Sequence, residues 1–301
     1  MLKTMLAEQL SDRQLVDAIR HGGRVDQALV DSYYQRCIPL YLDFIGPYWH
    51  TGYYSNDDQA ASIADQQRML RVVADSIQLS NRDSVLDVGC GIGSSAIYLA
   101  KKYASKLTGL TPVAAQKQIA GQLVSQSDCA DLVTIDIGHA DTLNYPDAHF
   151  DVVLFFESPC HFVDRQAFFN EAFRVLKPGG RLAGEDWLHI QKDDTAGTRQ
   201  HIESICRDWA IPMLGDSLQY QQQIRAAGFE RLDARDLRSE AYLDKGFSVT
   251  PAQQQSLQLD IDHCTDPLLE MTLHGLLSLG RALASGCFTI GRFSAHKPAT
   301  G

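Results

Sequence analysis

Short runs of aliphatic and β-branched residues alternate along this chain with stretches whose apolar positions recur every three or four residues. The runs read as buried strands at Val85–Val88, Lys106–Leu110, Leu132–Ile137, Val152–Phe156, Arg181–Trp187, Phe229–Leu237 and Cys287–His296. The helical pattern marks Ser62–Ile77, with Ile63, Leu70, Val73 and Ile77 on one face, and the residues after Gly93. It returns over Gln166–Val175, Gln219–Ala227 and most of 240–285. Strands alternating with helices predict an α/β fold, a doubly wound, mostly parallel seven-stranded sheet. The expected organisation is a helical and aromatic segment over 1–80, a core over 81–190, helical cap insertions over 191–285 around strand six (229–237), and a last strand and tail over 286–301.

The first 32 residues read as polar helix, with Asp12, Gln14, Asp17 and Arg20 among the leucines, stopped by Gly22-Gly23. Charges at Glu8 and Asp12 interrupt the start too early for a signal peptide. Between Tyr33 and Tyr54 stand nine aromatic or histidine residues, against a chain average of 9% aromatic. Pro39, Gly46, Pro47 and Gly52 predict that this stretch is not one regular helix. One reading is an arm packed on the core or on a second copy of the chain. The other is a lid in which Tyr33, Tyr34, Trp49, His50, Tyr53 and Tyr54 line an apolar substrate pocket.

Composition narrows the classes. A net charge of −10 argues against a nucleic-acid partner, whose phosphates demand a basic surface. No apolar run is long enough to span a membrane. The 7 cysteines form no C-x-x-C pair, which points away from a disulfide framework or a metal site and toward a reducing, cytoplasmic setting. The aromatic arm and the leucines of 240–285 leave a homo-oligomer open.

The candidate chemistry centres on Ser84-Val-Leu-Asp-Val-Gly-Cys-Gly-Ile-Gly93. Strand, glycine turn and helix in this order bring a ligand against bare backbone at the first strand's carboxyl end. The spacing is G-x-G-x-G, with Asp87 two residues ahead of Gly89, unlike a dinucleotide fingerprint, whose acid follows about 20 residues later. Asp87, Gly89, Gly91 and Gly93 resemble motif I of the class I S-adenosylmethionine-dependent methyltransferases, a Rossmann-like family. That resemblance implies S-adenosyl-L-methionine as cofactor, with the glycine loop facing its methionine portion. Strand two ends without the usual acid. Thr111 and Gln116 stand there instead, a spacing similar to that of cyclopropane-fatty-acid synthases and tocopherol methyltransferases. Thr111 also reads as a helix N-cap ahead of Pro112 at the first helical position. Gly138-His-Ala-Asp141 resembles the family's adenine-contacting segment, with His139 where Asp is usual and Ala140 retained. Whether His139 or Asp141 meets the adenine is left open.

The fourth strand ends in Phe156-Glu157-Ser-Pro-Cys-His161, and Leu176-Lys-Pro-Gly-Gly180 forms the family's turn into strand five, which ends at Trp187. A carboxylate there is costly to bury unpaired, and a helical turn at Ser158-Pro159 would face Glu157 and His161 to one cavity. Glu-Ser-Pro-Cys-His resembles the matching stretch of sterol C-methyltransferases, and Trp49-His-Thr-Gly-Tyr-Tyr54 resembles the entry to their catalytic domain. The resemblance implies methyl transfer to a small apolar metabolite, first a prenyl or terpenoid carbon through a carbocation, with Glu157 or His161 as base. Aromatic faces would stabilise the cation, and Phe156 and Trp187 would face the ligands. N- or O-methylation of a secondary metabolite is the alternative, and a cofactor-binding module without catalysis a further one.

Overall fold

The computed structural model describes residues 7, 9–55, 60–190, 196–247 and 250–299. The expectations for the first six residues, Glu8 and residues 191–195 lie outside the described residues. Two helices, α1 (Asp12–His21) and α2 (Gln27–Phe44), precede α3 (Ile63–Ser76). Then follow β1 (Ser84–Val88), α4 (Ser94–Tyr103), β2 (Lys106–Thr111), α5 (Ala114–Ser125), β3 (Val133–Ile137) and β4 (Phe150–Phe156). A 3₁₀ turn (Pro159–His161) leads to α6 (Arg165–Val175) and β5 (Leu176–His189). The chain ends with α7 (Ala196–Asp208), α8 (Ser217–Ala226), β6 (Glu230–Asp236), α9 (Asp244–Phe247), α10 (Pro251–His263), α11 (Pro267–Ser285) and β7 (Phe288–His296).

The strands form one 7-stranded sheet in the order β3-β2-β1-β4-β5-β7-β6. Pairs among β1 to β5 are parallel, and β7 runs antiparallel to both β5 and β6. The chain winds outward one way from β1 and the other way from β4. Between these two strands the order reverses, and the crevice at their carboxyl ends is where such sheets take ligands. β4 is apolar on both faces, with Val152 to Phe155 fully buried, because helices cover both sides of the sheet. One face carries Leu70, Val73, Ala96 and Leu99 of α3 and α4. The other carries Phe168, Phe169, Ala172 and Ile224 of α6 and α8. A third core joins α1, α2, α7 and α11 through Leu15, Tyr33, Trp209, Met271 and Leu283.

Two local expectations are corrected. Pro39 lies inside α2, which runs unbroken to Phe44. A proline there removes one helical hydrogen bond and costs about 3 kcal/mol. Burial of Tyr33, Cys37, Ile38 and Tyr41 along the same helix opposes that cost, and the chain leaves the helix only at Gly46, at φ +87°. The N-cap of α5 is Val113, so Pro112 lies before the helix rather than at its first position. Thr111 instead closes a tight turn, its hydroxyl accepting from the Val113 N–H at 3.2 Å.

Candidate functional site

The loop after β1 is built from backbone that side chains would obstruct. Gly89, Gly91 and Gly93 all have positive φ, at +84°, +54° and +80°. A Cβ on Gly89 would stand 2.4 Å from the Ser158 Cβ, and one on Gly91 would stand 3.3 Å from Trp49. Gly93 serves packing instead: it caps α4, does not line the cleft, and lets Ala120 of α5 approach to 3.0 Å of where its Cβ would be. The cleft above this loop is lined by Asp87, Gly89, Gly91, Thr111, Gln116 and Phe156 among others. Thr111 and Gln116 are both buried and bonded to each other, the hydroxyl donating to Oε1 at 2.6 Å. His139 and Ala140 line a smaller recess, which shares Gln27, Gly89, Pro112 and Phe162 with the cleft. His139 is half exposed, and its Nε2 lies 3.9 Å from Asp31.

Asp87 is buried, and its Oδ2 has no hydrogen-bond partner among the described residues. Burial alone pushes its carboxyl up to about 7. An unpartnered acid beside bare backbone amides is what an ammonium-bearing amino-acid ligand requires. The cleft therefore fits the methionine portion of S-adenosylmethionine, and the adjoining recess lies where the rest of the molecule can continue.

A second, larger cavity of about 680 Å³ adjoins the cleft. Tyr34, Trp49, His50, Glu157 and His161 line both, so they mark the junction. Tyr54 and Trp187 line the cavity alone. Eight aromatic rings wall it (Tyr34, Tyr41, Phe44, Trp49, Tyr54, Trp187, Trp209 and Phe247), and no lysine or arginine is among its described lining residues. Two members of the expected set are corrected. Tyr33 is wholly buried, its ring edge-on to Tyr34 and Tyr41, and Tyr53 packs on the helical core, so neither lines the cavity.

At the junction Glu157 adopts φ +46°, a left-handed conformation that an ordinary residue holds only under constraint. The constraint is local. Its N–H donates to the Glu185 carbonyl at 3.0 Å, and its Oε1 accepts from the Thr51 N–H at 2.7 Å. Burial raises its carboxyl to about 8, the Thr51 hydrogen bonds offsetting part of this and Asp186 adding to it. The 3₁₀ turn at Pro159 carries His161 to the same junction, where its Nε2 lies 2.7 Å from the Tyr34 hydroxyl. Burial lowers the His161 imidazole to about 4, so it is neutral at pH 7. Burial pushes the Tyr34 phenol well above its ordinary range, so both partners of that bond are neutral, and the phenol donates in the tautomer that leaves Nε2 unprotonated. His50 is likewise lowered to about 4 by burial. Its Nδ1 lies 3.0 Å from the Thr51 carbonyl, which only a protonated Nδ1 can satisfy, leaving Nε2 unprotonated and without a partner among the described residues.

A neutral isostere should expose the cost of the Glu157 charge. A raised carboxyl pKa means that ionisation in the folded protein costs stability, a cost absent at low pH and growing as pH rises from the ordinary carboxylate range through about 8. The melting temperature of Glu157→Gln, relative to wild type and without cofactor, is therefore expected to rise between pH 5 and pH 8. A constant difference would contradict a raised Glu157.

Several lining residues carry no motif. Tyr41 and Phe247 are ordinary apolar helix positions, and Trp209 an apolar residue in the turn after α7, until α2, α7 and α9 converge on one cavity. Glu185 and Asp186 had a signal, two adjacent acids at the carboxyl end of a strand. Asp186 accepts from the Cys160 N–H at 2.8 Å and the Tyr220 hydroxyl at 2.6 Å.

Comparison with known proteins identifies the family. A family model described as a methyltransferase domain matches residues 86–184, from β1 through the middle of β5. The 27-O-demethylrifamycin SV methyltransferase of Amycolatopsis mediterranei (strain S699) is 34% identical over 203 residues, covering 65% of this chain and 73% of that one. The probable chloroplastic tocopherol O-methyltransferase of Oryza sativa subsp. japonica is 34% identical over 153 residues, 48% of this chain and 42% of its own length. Among solved structures, the [4+2]-cyclase SpnF superposes with a TM-score of 0.73 over 90% of this chain and 96% of that chain, at 24% identity, a likeness of fold. The chain belongs to the S-adenosylmethionine-dependent methyltransferases. It is an enzyme of the group acting on small molecules, with S-adenosylmethionine as its cofactor. Among the described residues no helix is long and apolar enough to cross a membrane.

Proposed function

We propose that the enzyme methylates a hydroxyl oxygen of a bulky, largely apolar metabolite, with His161 taking the proton. The observation that carries this reading is the His161–Tyr34 pair at the junction: a neutral imidazole nitrogen already holds a hydroxyl oxygen at 2.7 Å where cleft and cavity meet. When bound, the cofactor supplies an electrophilic methyl group on a sulfonium. Asp87 and the backbone of Gly89 and Gly91 hold its methionine portion, Thr111 and Gln116 its ribose, and His139 or Asp141 borders the adenine. The acceptor lies in the aromatic cavity, where Trp49, Tyr54 and Trp187 exclude water and hold it in reach of the methyl. An alcohol oxygen becomes strongly acidic as it gains the methyl, so even a weak neutral base such as His161 suffices, directly or through Tyr34. The names of the tocopherol O-methyltransferase and the 27-O-demethylrifamycin SV methyltransferase support an oxygen acceptor.

A second reading keeps the same cofactor site and places the methyl on an alkene carbon of a prenyl or terpenoid chain. The eight aromatic rings favour it, since aromatic faces attract a carbocation by about 2 kcal/mol each when desolvated. Isotope-labelled S-adenosylmethionine, a panel of macrocyclic, phenolic and terpenoid acceptors, and NMR of the product distinguish the two. A new methyl correlated through oxygen is the expected result, and a methyl bonded to carbon would replace the first reading by the second.

A further inference from the structure

Glu185 plays no part in the mechanism above, yet it is an acid that its surroundings leave without support. It is fully buried, and neither carboxylate oxygen has a hydrogen-bond partner among the described residues. It sits in β5 opposite Phe156, one residue from Glu157, whose N–H it holds through its backbone carbonyl. An isolated buried carboxylate is prohibitively costly, so a group in this setting stays neutral unless a cation comes to it.

The charges facing this pair supply no such cation. Across the strand pair, Arg292 of β7 is in register with Glu185, but its guanidinium is engaged by Asp233 at 2.7 Å. On α3, Arg68 pairs with Asp65 at 3.4 Å. Asp186 and Cys160 add only negative or neutral groups, and Tyr54, His50 and His161 are neutral at pH 7. Asp87, which lines the cleft, is a further buried acid with an oxygen that has no hydrogen-bond partner among the described residues. Arg165, a buried cation on the Asp186 side, donates to the Met213 carbonyl at 2.9 Å and lies over the Tyr220 ring, and it lowers Asp186 rather than Glu157 or Glu185. Glu157 and Glu185 are thus left without a cation among the described residues that act on them.

We propose that Glu157 and Glu185 act as one pair of neighbouring buried acids whose combined charge follows that of the cofactor sulfur. The pair gives up one proton when a sulfonium comes to the junction and recovers one when only the thioether remains. In the reaction the methyl group leaves sulfur for the acceptor oxygen, and the sulfur loses its positive charge. The acceptor's proton, taken first by His161, ends on the pair, so the closed site begins and finishes without net charge. Glu157 meets the ligand, and Glu185 acts through it as a positioning residue. The inference rests on the cofactor alone and holds whichever acceptor atom is methylated.

Calorimetric titration of the full chain at pH 7, without acceptor and in buffers of different ionisation enthalpy, counts the protons released. S-adenosylmethionine should release about one proton more than S-adenosylhomocysteine, and sinefungin, which carries an amine cation in place of the sulfonium methyl, should resemble S-adenosylmethionine. Asp87 meets the same amino-acid end in all three ligands and cancels from the difference. The affinity for S-adenosylmethionine should fall about tenfold per pH unit on the acid side of the titration, and that for S-adenosylhomocysteine should change much less. In Glu185→Gln the acid-side fall should move at least one pH unit lower, with S-adenosylhomocysteine affinity kept within about threefold as the sign of a folded site. Equal proton release by the three ligands in the wild type overturns the proposal by itself, whether or not the variant folds. A folded Glu185→Gln with an unmoved pH profile removes Glu185 from it.

Discussion

Replacing Gly89 by valine is expected to abolish detectable cofactor binding, a loss of at least 100-fold or about 3 kcal/mol. Two costs combine. The residue sits at φ +84°, where a β-branched side chain is strained by about 1–3 kcal/mol. Its Cβ would stand 2.4 Å from the Cβ of Ser158, which cannot swing away without breaking its 2.6 Å hydrogen bond to the Val88 carbonyl. Relief has to come from moving β1 or the Ser158 turn, and those are the two elements that hold Asp87 and Glu157. Gly121→Ala is the matching control: the glycine is exposed on α5, nothing lies within 4 Å of the added carbon, and alanine favours the helix. Thermal melts should show Gly121→Ala stabilised by about 0.5–1 kcal/mol with normal binding. Tight binding by a folded Gly89→Val protein would show that the loop is not the cofactor cradle.

The second large effect is expected at His161. His161→Gln should lower kcat about 10²- to 10⁴-fold, the range for loss of a positioned general base, while the dissociation constant for S-adenosylhomocysteine changes little. Tyr34→Phe removes only the hydroxyl that His161 holds and should cost about tenfold, the value of one hydrogen bond. The pH profile carries the sign. Burial lowers His161 to about 4, so its base form is complete above about pH 5 and is lost as pH falls through 4. With saturating cofactor, kcat should be level from about pH 5.5 to 8 as far as this group is concerned. A loss of activity centred near 6.5 would assign the proton to a solvated histidine instead. A variant of His161 with unchanged kcat would transfer the role to His50, which lines the same junction and whose Nε2 has no partner among the described residues.

The centre of the sheet was legible in the sequence because β1 and β4 are buried on both faces and read as apolar runs, β4 most clearly. The cofactor loop was legible because its backbone needs three glycines in a fixed place, and few other purposes put an acid two residues ahead of them. The acceptor cavity was only half legible. Trp49 and Tyr54 announced themselves by crowding, but the same crowding suggested Tyr33, which points into the core between Tyr34 and Tyr41. Successive residues of a helix face different directions, and the break expected at Pro39, which α2 does not show, hid which of them shared a face. Trp209 lies far away in a polar segment, and only the packing of α7 against α11 brings it to the cavity through Gly275, where a Cβ would stand 2.7 Å from the indole. Glu185 shows a different limit: its acid was visible, but its lack of a partner is a property of three-dimensional neighbours.

Helices α9 to α11 leave the sheet after β6 and return to it at β7, and these two strands pair directly with each other, Asp236 opposite Gly291. Phe247, Leu257, Asp260, Leu276 and Leu279 on that excursion form one side of the cavity, while Asp87, Glu157 and His161 belong to the strands and turns of the sheet. In genetic terms the ceiling of the acceptor chamber is a single cassette whose ends are anchored side by side. Its length and shape can drift, or be transplanted between homologues, without shifting the register of any strand that carries the cofactor. Acceptor range in such a scaffold is free to diversify while the transfer machinery stays fixed, and a library confined to this cassette is the direct route to new acceptors.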